Sequence, residues 1–229
     1  MITMDSTPVA ANSPYSADAH KFRVAAYGDT PAALAEIFEE NVNMAVWRRE
    51  PSNDVQNAVD RITNTAGSLM AAMTVSPKST LAAVSEALGI KAPCALSADI
   101  AELVEMFCDL LGLERAGLRL RTLDSAMCPR FHVDRVPCRL ITTYQGGGTE
   151  WLEHTGVDRS KLGLGNAGKP DSRSGVVKTF GDIQQLDSGD VALMKGELWE
   201  GNEGAGLVHR SPAVGARDKR LLLTLDVSS

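Results

Sequence analysis

The sequence contains no apolar run approaching the ~18 residues that a membrane-spanning helix requires. It has no excess of positive charge either: 23 Lys and Arg stand against 29 Asp and Glu, a formal net charge of -6. Nucleic-acid binders draw their general affinity from phosphate neutralisation, so a chain this acidic is a poor candidate for general nucleic-acid binding, and only local basic patches remain open. Residues 1–20 lack a continuous apolar core and contain Asp5 and Asp18. They do not read as a signal peptide, and a cytoplasmic location is expected. There is no Gly-x-Ser-x-Gly nucleophile elbow. Gly163 to Gly168 does spell Gly-x-Gly-x-x-Gly, but Lys169-Pro170-Asp171 follows where a dinucleotide fold needs a helix, so the match reads as a loop. The four cysteines, Cys94, Cys108, Cys128 and Cys138, are expected in a reducing compartment to be free thiols or metal ligands.

What is present divides the chain in two. Residues 1–20 are rich in Ser, Ala, Pro and Asn and read as a mobile tail. Residues 21–117 read as a helical N-terminal region. Thr30 and Pro31 suit a helix start, followed by Leu34, Ile37 and Phe38 on one face. A second helix is expected from Ser52 to Met73, a third from Ser79 to Leu88, and a fourth from Ser97 to the residue before Gly112. The apolar spacing of three and four in the last is its signature. After Gly117 the texture becomes that of short strands separated by turns, at Arg139–Tyr144, Val191–Met194, Gly206–His209 and Arg220–Val227. Residues 154–175 and 195–206 are glycine-rich and are expected to be mobile lids.

Histidine is scarce, which narrows the search for chemistry. Only His20, His132, His154 and His209 are available. His20 falls in the tail, and His154 opens a long loop. His132 and Asp134 are two residues apart, so on a strand they aim at one point. An imidazole and a carboxylate so placed are two thirds of the set of two His and one carboxylate that holds non-haem iron. Cys128 and Cys138 bracket the pair and offer a different, zinc-type set. Against that set, Pro129 and Pro137 interrupt the strand that would align them.

The surrounding order of motifs carries a resemblance. His132-Val133-Asp134 is followed by the strand Arg139–Tyr144, a turn at Gly146-Gly147-Gly148-Thr149, the strand opened by Gly189-Asp190, then His209, then a last strand opened by Arg220. Together these resemble the Fe(II)/2-oxoglutarate-dependent dioxygenases, particularly the prolyl-hydroxylase-like branch, over residues 118–229. The resemblance implies an α+β chain: a double-stranded β-helix (jelly roll) preceded by a helical N-terminal half. It implies His132, Asp134 and His209 as metal ligands and catalytic centre, with Fe(II) as the metal and 2-oxoglutarate as cosubstrate. It also implies Arg220 as the partner of the cosubstrate's distal carboxylate, with hydroxyls from Thr142 and Tyr144 nearby. Arg217 and Lys219 compete for the role of Arg220, which is preferred because it heads the apolar strand. The implied reaction oxidises a small-molecule or peptide substrate and releases succinate and CO2.

The whole chain, including Asn43–Arg49, also looks like a bacterial family catalogued only as a domain of unknown function, described near genes for zinc-responsive metallochaperones. A non-enzymatic zinc- or iron-binding jelly roll linked to metal homeostasis is therefore the alternative. Arg139 either lines the site or forms a surface ion pair. Trp151 and Trp199 serve as pocket walls or as packing. Trp47, with Arg48 and Arg49, is expected to pack the helical half onto the strands.

Overall fold

The structure, a computed structural model, describes residues 22–65, 68–90, 94–179, 182–216 and 218–228. The expected tail, His20 and Arg217 lie outside the described residues. No helix of the described residues is long and apolar enough to cross a membrane.

The N-terminal region holds strands as well as helices. Strand β1 (Val24–Gly28) leads through a 3-10 helix at Pro31–Phe38 into β2 (Val42–Trp47). The 3-10 helix buries Leu34 and Ile37, which are three residues apart and so eclipse each other on a three-per-turn helix. Phe38 falls off that stripe and is 52% exposed, unlike the face expected for it. Helix α1 (Asn53–Thr65) starts where Ser52 Oγ accepts from Val55 N–H, and it ends well before Met73. Met70–Val75 forms β3 instead. Its period is two, with Ala71 and Val75 turned inward and Met70, Ala72 and Thr74 outward. Helix α2 (Pro77–Ala87) is capped by a reciprocal Ser76–Ser79 pair. Helix α3 (Ala95–Leu111) buries Leu96, Ile100, Leu103, Val104 and Phe107 at helical spacing and stops at Gly112, whose φ of 64° is left-handed.

The remaining strands are β4 (Ala116–Leu123), β5 (Cys138–Gln145), β6 (Glu150–Leu152), β7 (Ile183–Gln185), β8 (Val191–Lys195), β9 (Val208–Arg210) and β10 (Arg220–Val227). They build a seven-stranded sheet in the order β1-β2-β8-β5-β10-β4-β3 and a three-stranded sheet in the order β7-β6-β9. Among the described residues, only the β1–β2 pairing is parallel. The N-terminal strands thus extend the same sheet that β4, β5, β8 and β10 form.

Three layers follow. One face of the large sheet, through Leu118, Leu120, Leu140, Leu193, Leu221, Leu223 and Leu225, packs on α1, α2 and α3. The other face, through Met44, Val46, Ile141, Ala192, Met194 and Leu222, packs against Trp151 of the small sheet. Asp99 of α3 ties the first pair of layers together. Its carboxylate accepts from Arg49 at 2.5 and 2.9 Å and from the Tyr144 hydroxyl at 2.5 Å.

The Gly146–Thr149 turn joins the two sheets at close quarters. A Cβ on Gly148 would lie 1.9 Å from the Leu186 carbonyl oxygen, whereas one on Gly147 meets only the side chains of Gln185 and Pro212. Gly148→Ala is therefore expected to cost about 3 kcal/mol, near the upper end for a point substitution, and Gly147→Ala less than about 1. Urea denaturation of the two variants checks this, and equal midpoints would contradict it.

Candidate metal centre

His132 sits in an irregular segment, yet one backbone bridge fixes it. Its N–H donates to the His209 carbonyl at 3.0 Å, and the His209 N–H donates back to the His132 carbonyl at 3.0 Å. A cross-strand pair of this kind brings side chains together. The two imidazole centroids are 4.6 Å apart and inclined by 47°. Asp134, two residues on, closes the triangle. Its Oδ1 is 3.6 Å from His132 Nε2, and its Oδ2 is 3.3 Å from His209 Nε2. One ligand atom from each residue lies within 4.8 Å of the others.

The ring orientations are set by the main chain. His132 Nδ1 is 2.9 Å from the Arg130 carbonyl, and His209 Nδ1 is 3.2 Å from the Leu207 carbonyl. A carbonyl only accepts, so each Nδ1 carries a hydrogen and each Nε2 faces the centre. Burial opposes charge on Asp134, but the hydrogen bonds to His132 and His209, with the charge of Arg139, outweigh it and hold the carboxyl well below its usual range. For His132, burial lowers the pKa, while the Asp134 carboxylate and the Arg130 carbonyl raise it further, leaving it above its ordinary value.

A charge ladder continues behind Asp134. Arg139 Nη1 donates to Asp134 Oδ2 at 2.5 Å, and its Nε donates to Asp226 Oδ1 at 2.6 Å. Arg119 pairs with the other Asp226 oxygen. Arg139 thus lines the candidate centre and fixes one oxygen of Asp134. The sequence signal for it was its place on β5 two residues from Ile141, which points between the sheets.

Arg220 lies on the same face of the large sheet at the opposite end of β10. It is 1% exposed. Its Nη2 donates to Thr143 Oγ1 and to Thr149 Oγ1, each at 3.0 Å. Its Nε is buried and has no partner, and no carboxylate pairs with it among the described residues. Burial pushes its pKa down to about 10, which still leaves it protonated at neutral pH.

The expected hydroxyls are corrected. Thr142 and Tyr144 point to the helical face, Tyr144 into the core beside Asp99. Thr143 and Thr149 stand beside Arg220 in their place. Side chains alternate along a strand, so a one-residue error in register reverses the face. β5 also carries an irregularity here: Leu221 opposes Gln145 and Leu222 opposes Thr143, with Tyr144 passed over. Tyr144→Phe is expected to leave ligand binding unchanged and to cost about 1.5–3 kcal/mol, the value of a hydrogen bond to a charged acceptor. Thermal unfolding alongside a 2-oxoglutarate titration checks both halves. Cys138 is buried on the helical side, and neither it nor Cys128 joins the His-Asp-His cluster. Lys219 is directed away, donating to the Thr63 carbonyl at 2.6 Å.

The two long loops are anchored to the centre. Asp171 Oδ2 accepts from Phe131 N–H at 3.0 Å and from Arg210 Nη1 at 3.0 Å, so it holds the neighbours of both histidines. Glu197 N–H donates to the Asp134 carbonyl at 2.9 Å. His154 lies apart from the cluster, its pKa lowered to about 4 by burial and by Arg159.

Residues 28–226 match the family described as "Protein of unknown function (DUF1826)". No curated protein matches the sequence. Solved structures similar to this chain include a dioxygenase for auxin oxidation from rice, at 14% identity and a TM-score of 0.45, covering 90% of this chain and 83% of that one. Another is the 2-oxoglutarate complex of dioxygenase for auxin oxidation 1 from Arabidopsis thaliana, at 10% identity and a TM-score of 0.45, covering 90% and 93%. A third is a prolyl-4-hydroxylase from Pseudomonas putida, at 12% identity and a TM-score of 0.43, covering 87% and 98%.

Proposed function

The chain belongs to the DUF1826 family, which brings no activity with it, and from the geometry of its site we propose an Fe(II)- and 2-oxoglutarate-dependent oxygenase. It oxidises a small-molecule or peptide substrate and releases succinate and CO2. The single observation that carries this reading is Arg220: a buried guanidinium without a carboxylate, on the sheet face that also bears Arg139 beside the His-Asp-His cluster. The strand order supports the architecture that goes with it. β4-β10-β5-β8 faces β7-β6-β9, the latter extended by the bridge at His132, as in a double-stranded β-helix.

The donor set fits the metal. Two imidazoles whose Nε2 atoms face the centre and one carboxylate match the set of hard and borderline ligands that suits Fe(II). When bound, Fe(II) supplies open coordination positions and the redox capacity that couples oxo-acid decarboxylation to substrate oxidation. The chain's own residues do the positioning. Arg139 holds one Asp134 oxygen, which favours binding through the other. Arg220, with Thr143 and Thr149, offers a fork of donors to a carboxylate, the geometry in which Arg exceeds Lys. Trp151 and the inter-sheet cluster exclude water from that space.

The alternative is a non-enzymatic zinc- or iron-binding module linked to metal homeostasis. It uses the same three ligands and leaves Arg220 without a role. Succinate release from 2-oxoglutarate by the Fe(II)-loaded protein in air tests the proposal. A protein that binds metal but neither binds 2-oxoglutarate nor forms succinate is the metal module.

A further inference from the structure

The face of the large sheet that looks toward the small one carries a surplus of positive charge. Alternation along β4, β5 and β10 places Arg119, Arg121, Arg139 and Arg220 on it. The carboxylate of Asp226 is taken by Arg119 and Arg139, and that of Asp134 by Arg139 and the histidines. Arg220 and Arg121 are left over. They are also the two arginines of this face whose Nε atoms are buried without a partner. Arg220 opposes Leu123 across the β10–β4 ladder and Arg121 opposes Leu222, so the two guanidinium-bearing residues are diagonal neighbours, about 7–8 Å apart by sheet geometry.

Their settings differ. Arg220 is fully enclosed and forked by two threonines. Arg121 is half-buried at the rim, and its described side-chain partner is a sulfur: Nη1 lies 3.5 Å from Met127 Sδ. Across the β3–β4 ladder it opposes Met70, which is 72% exposed, and Met127 is 44% exposed. Asp124, the acid nearest in sequence, is engaged by the Ser125 hydroxyl at 3.1 Å. A cation flanked by two accessible thioethers, beside a compartment that already has one arginine for an oxo acid, is equipped for a second anion with an apolar body.

We infer that Arg121 receives the anionic group, carboxylate or phosphate, of the substrate to be oxidised, with Met70 and Met127 flanking its apolar part. This rests on the oxygenase reading above for the word substrate, but the binding site does not. The substrate class is thus an amphiphilic organic anion.

The test is calorimetric titration of the full chain with octanoate, octyl phosphate and the neutral 1-octanol, each below micelle formation, and separately with 2-oxoglutarate in the presence of Fe(II) under anaerobic conditions. At least one octyl anion is expected to bind about tenfold tighter than octanol, the value of one charge-assisted hydrogen bond, and to lose that margin in Arg121→Gln. Octanoate against octyl phosphate distinguishes a carboxylate from a phosphate site. Arg121→Lys, which keeps the charge, retains binding and controls for misfolding. 2-Oxoglutarate affinity is unchanged in Arg121→Gln. Anions no tighter than octanol, or no loss in Arg121→Gln, overturns the inference. So does a loss of 2-oxoglutarate affinity in Arg121→Gln, which would place Arg121 in the oxo-acid site. Arg121-dependent anion binding without any 2-oxoglutarate binding sinks the oxygenase reading and keeps the anion site.

Discussion

Arg220→Met is expected to bind 2-oxoglutarate at least about 100-fold more weakly, since a forked charge-assisted pair is worth roughly 3 kcal/mol. The same change is expected to stabilise the ligand-free protein. Burial alone drives the Arg220 pKa well below its ordinary value, to about 10. That depression corresponds to about 3 kcal/mol of unfavourable charge burial. Losing the hydrogen bonds to Thr143 and Thr149 gives back about 1 kcal/mol each. The net gain is about 1 kcal/mol, in keeping with other replacements of buried charge by apolar side chains. In the wild type, 2-oxoglutarate at a hundred times its Kd is expected to add about 2.7 kcal/mol, and the same concentration in Arg220→Met at most about 0.4 kcal/mol. Melting temperatures with and without the oxo acid read both effects. A variant that melts lower and still responds to 2-oxoglutarate would show that the guanidinium is a structural strut.

Asp134→Ala is expected to abolish measurable Fe(II) binding while the far-ultraviolet circular dichroism stays that of the folded chain. The helices pack on the opposite face of the large sheet, so they do not depend on the centre. Arg139→Gln makes the informative comparison. It leaves all three ligands in place and removes the hydrogen bond to Asp134 Oδ2 together with the ion pair to Asp226, so a loss of about 10–100-fold is expected, the usual cost of removing an outer partner. Equal losses in the two variants would mean that Asp134 does not touch the metal. No loss in either would sink the His132–Asp134–His209 centre.

Much of this was visible in the sequence, for identifiable reasons. α3 announces itself because its inward face repeats every three to four residues along seventeen residues. β10 does so because its apolar run is bounded by turn residues. His132 and Asp134 share a direction through simple alternation, though only one bridge, not a long strand, supports them. β2 was hidden because Val42 to Val46 is buried on both faces and shows no alternation to read. β3 was hidden because Ala71, Ala72 and Met73 suit a helix, and only pairing with β4 makes them a strand. Thr143 was missed for Thr142 and Tyr144 because an irregularity in pairing cannot be inferred from one strand alone. Thr149 lay in a motif already noted, but its partnership with Arg220 depends on the two sheets meeting.

The burial of β2 from Val42 to Val46 has a consequence for how the chain is made. Its antiparallel neighbour is β8, which leaves the ribosome only after most of the chain has been synthesised. Until then Val42–Trp47 is an apolar segment with a free edge, and its early strand partner is the short β1. Long-range pairings of this kind close slowly, and the waiting strand is exposed to sticking to other nascent chains. Glu39 and Glu40 before it and Arg48 and Arg49 after it then act as gatekeepers, keeping the unfinished polypeptide in solution until its partner arrives.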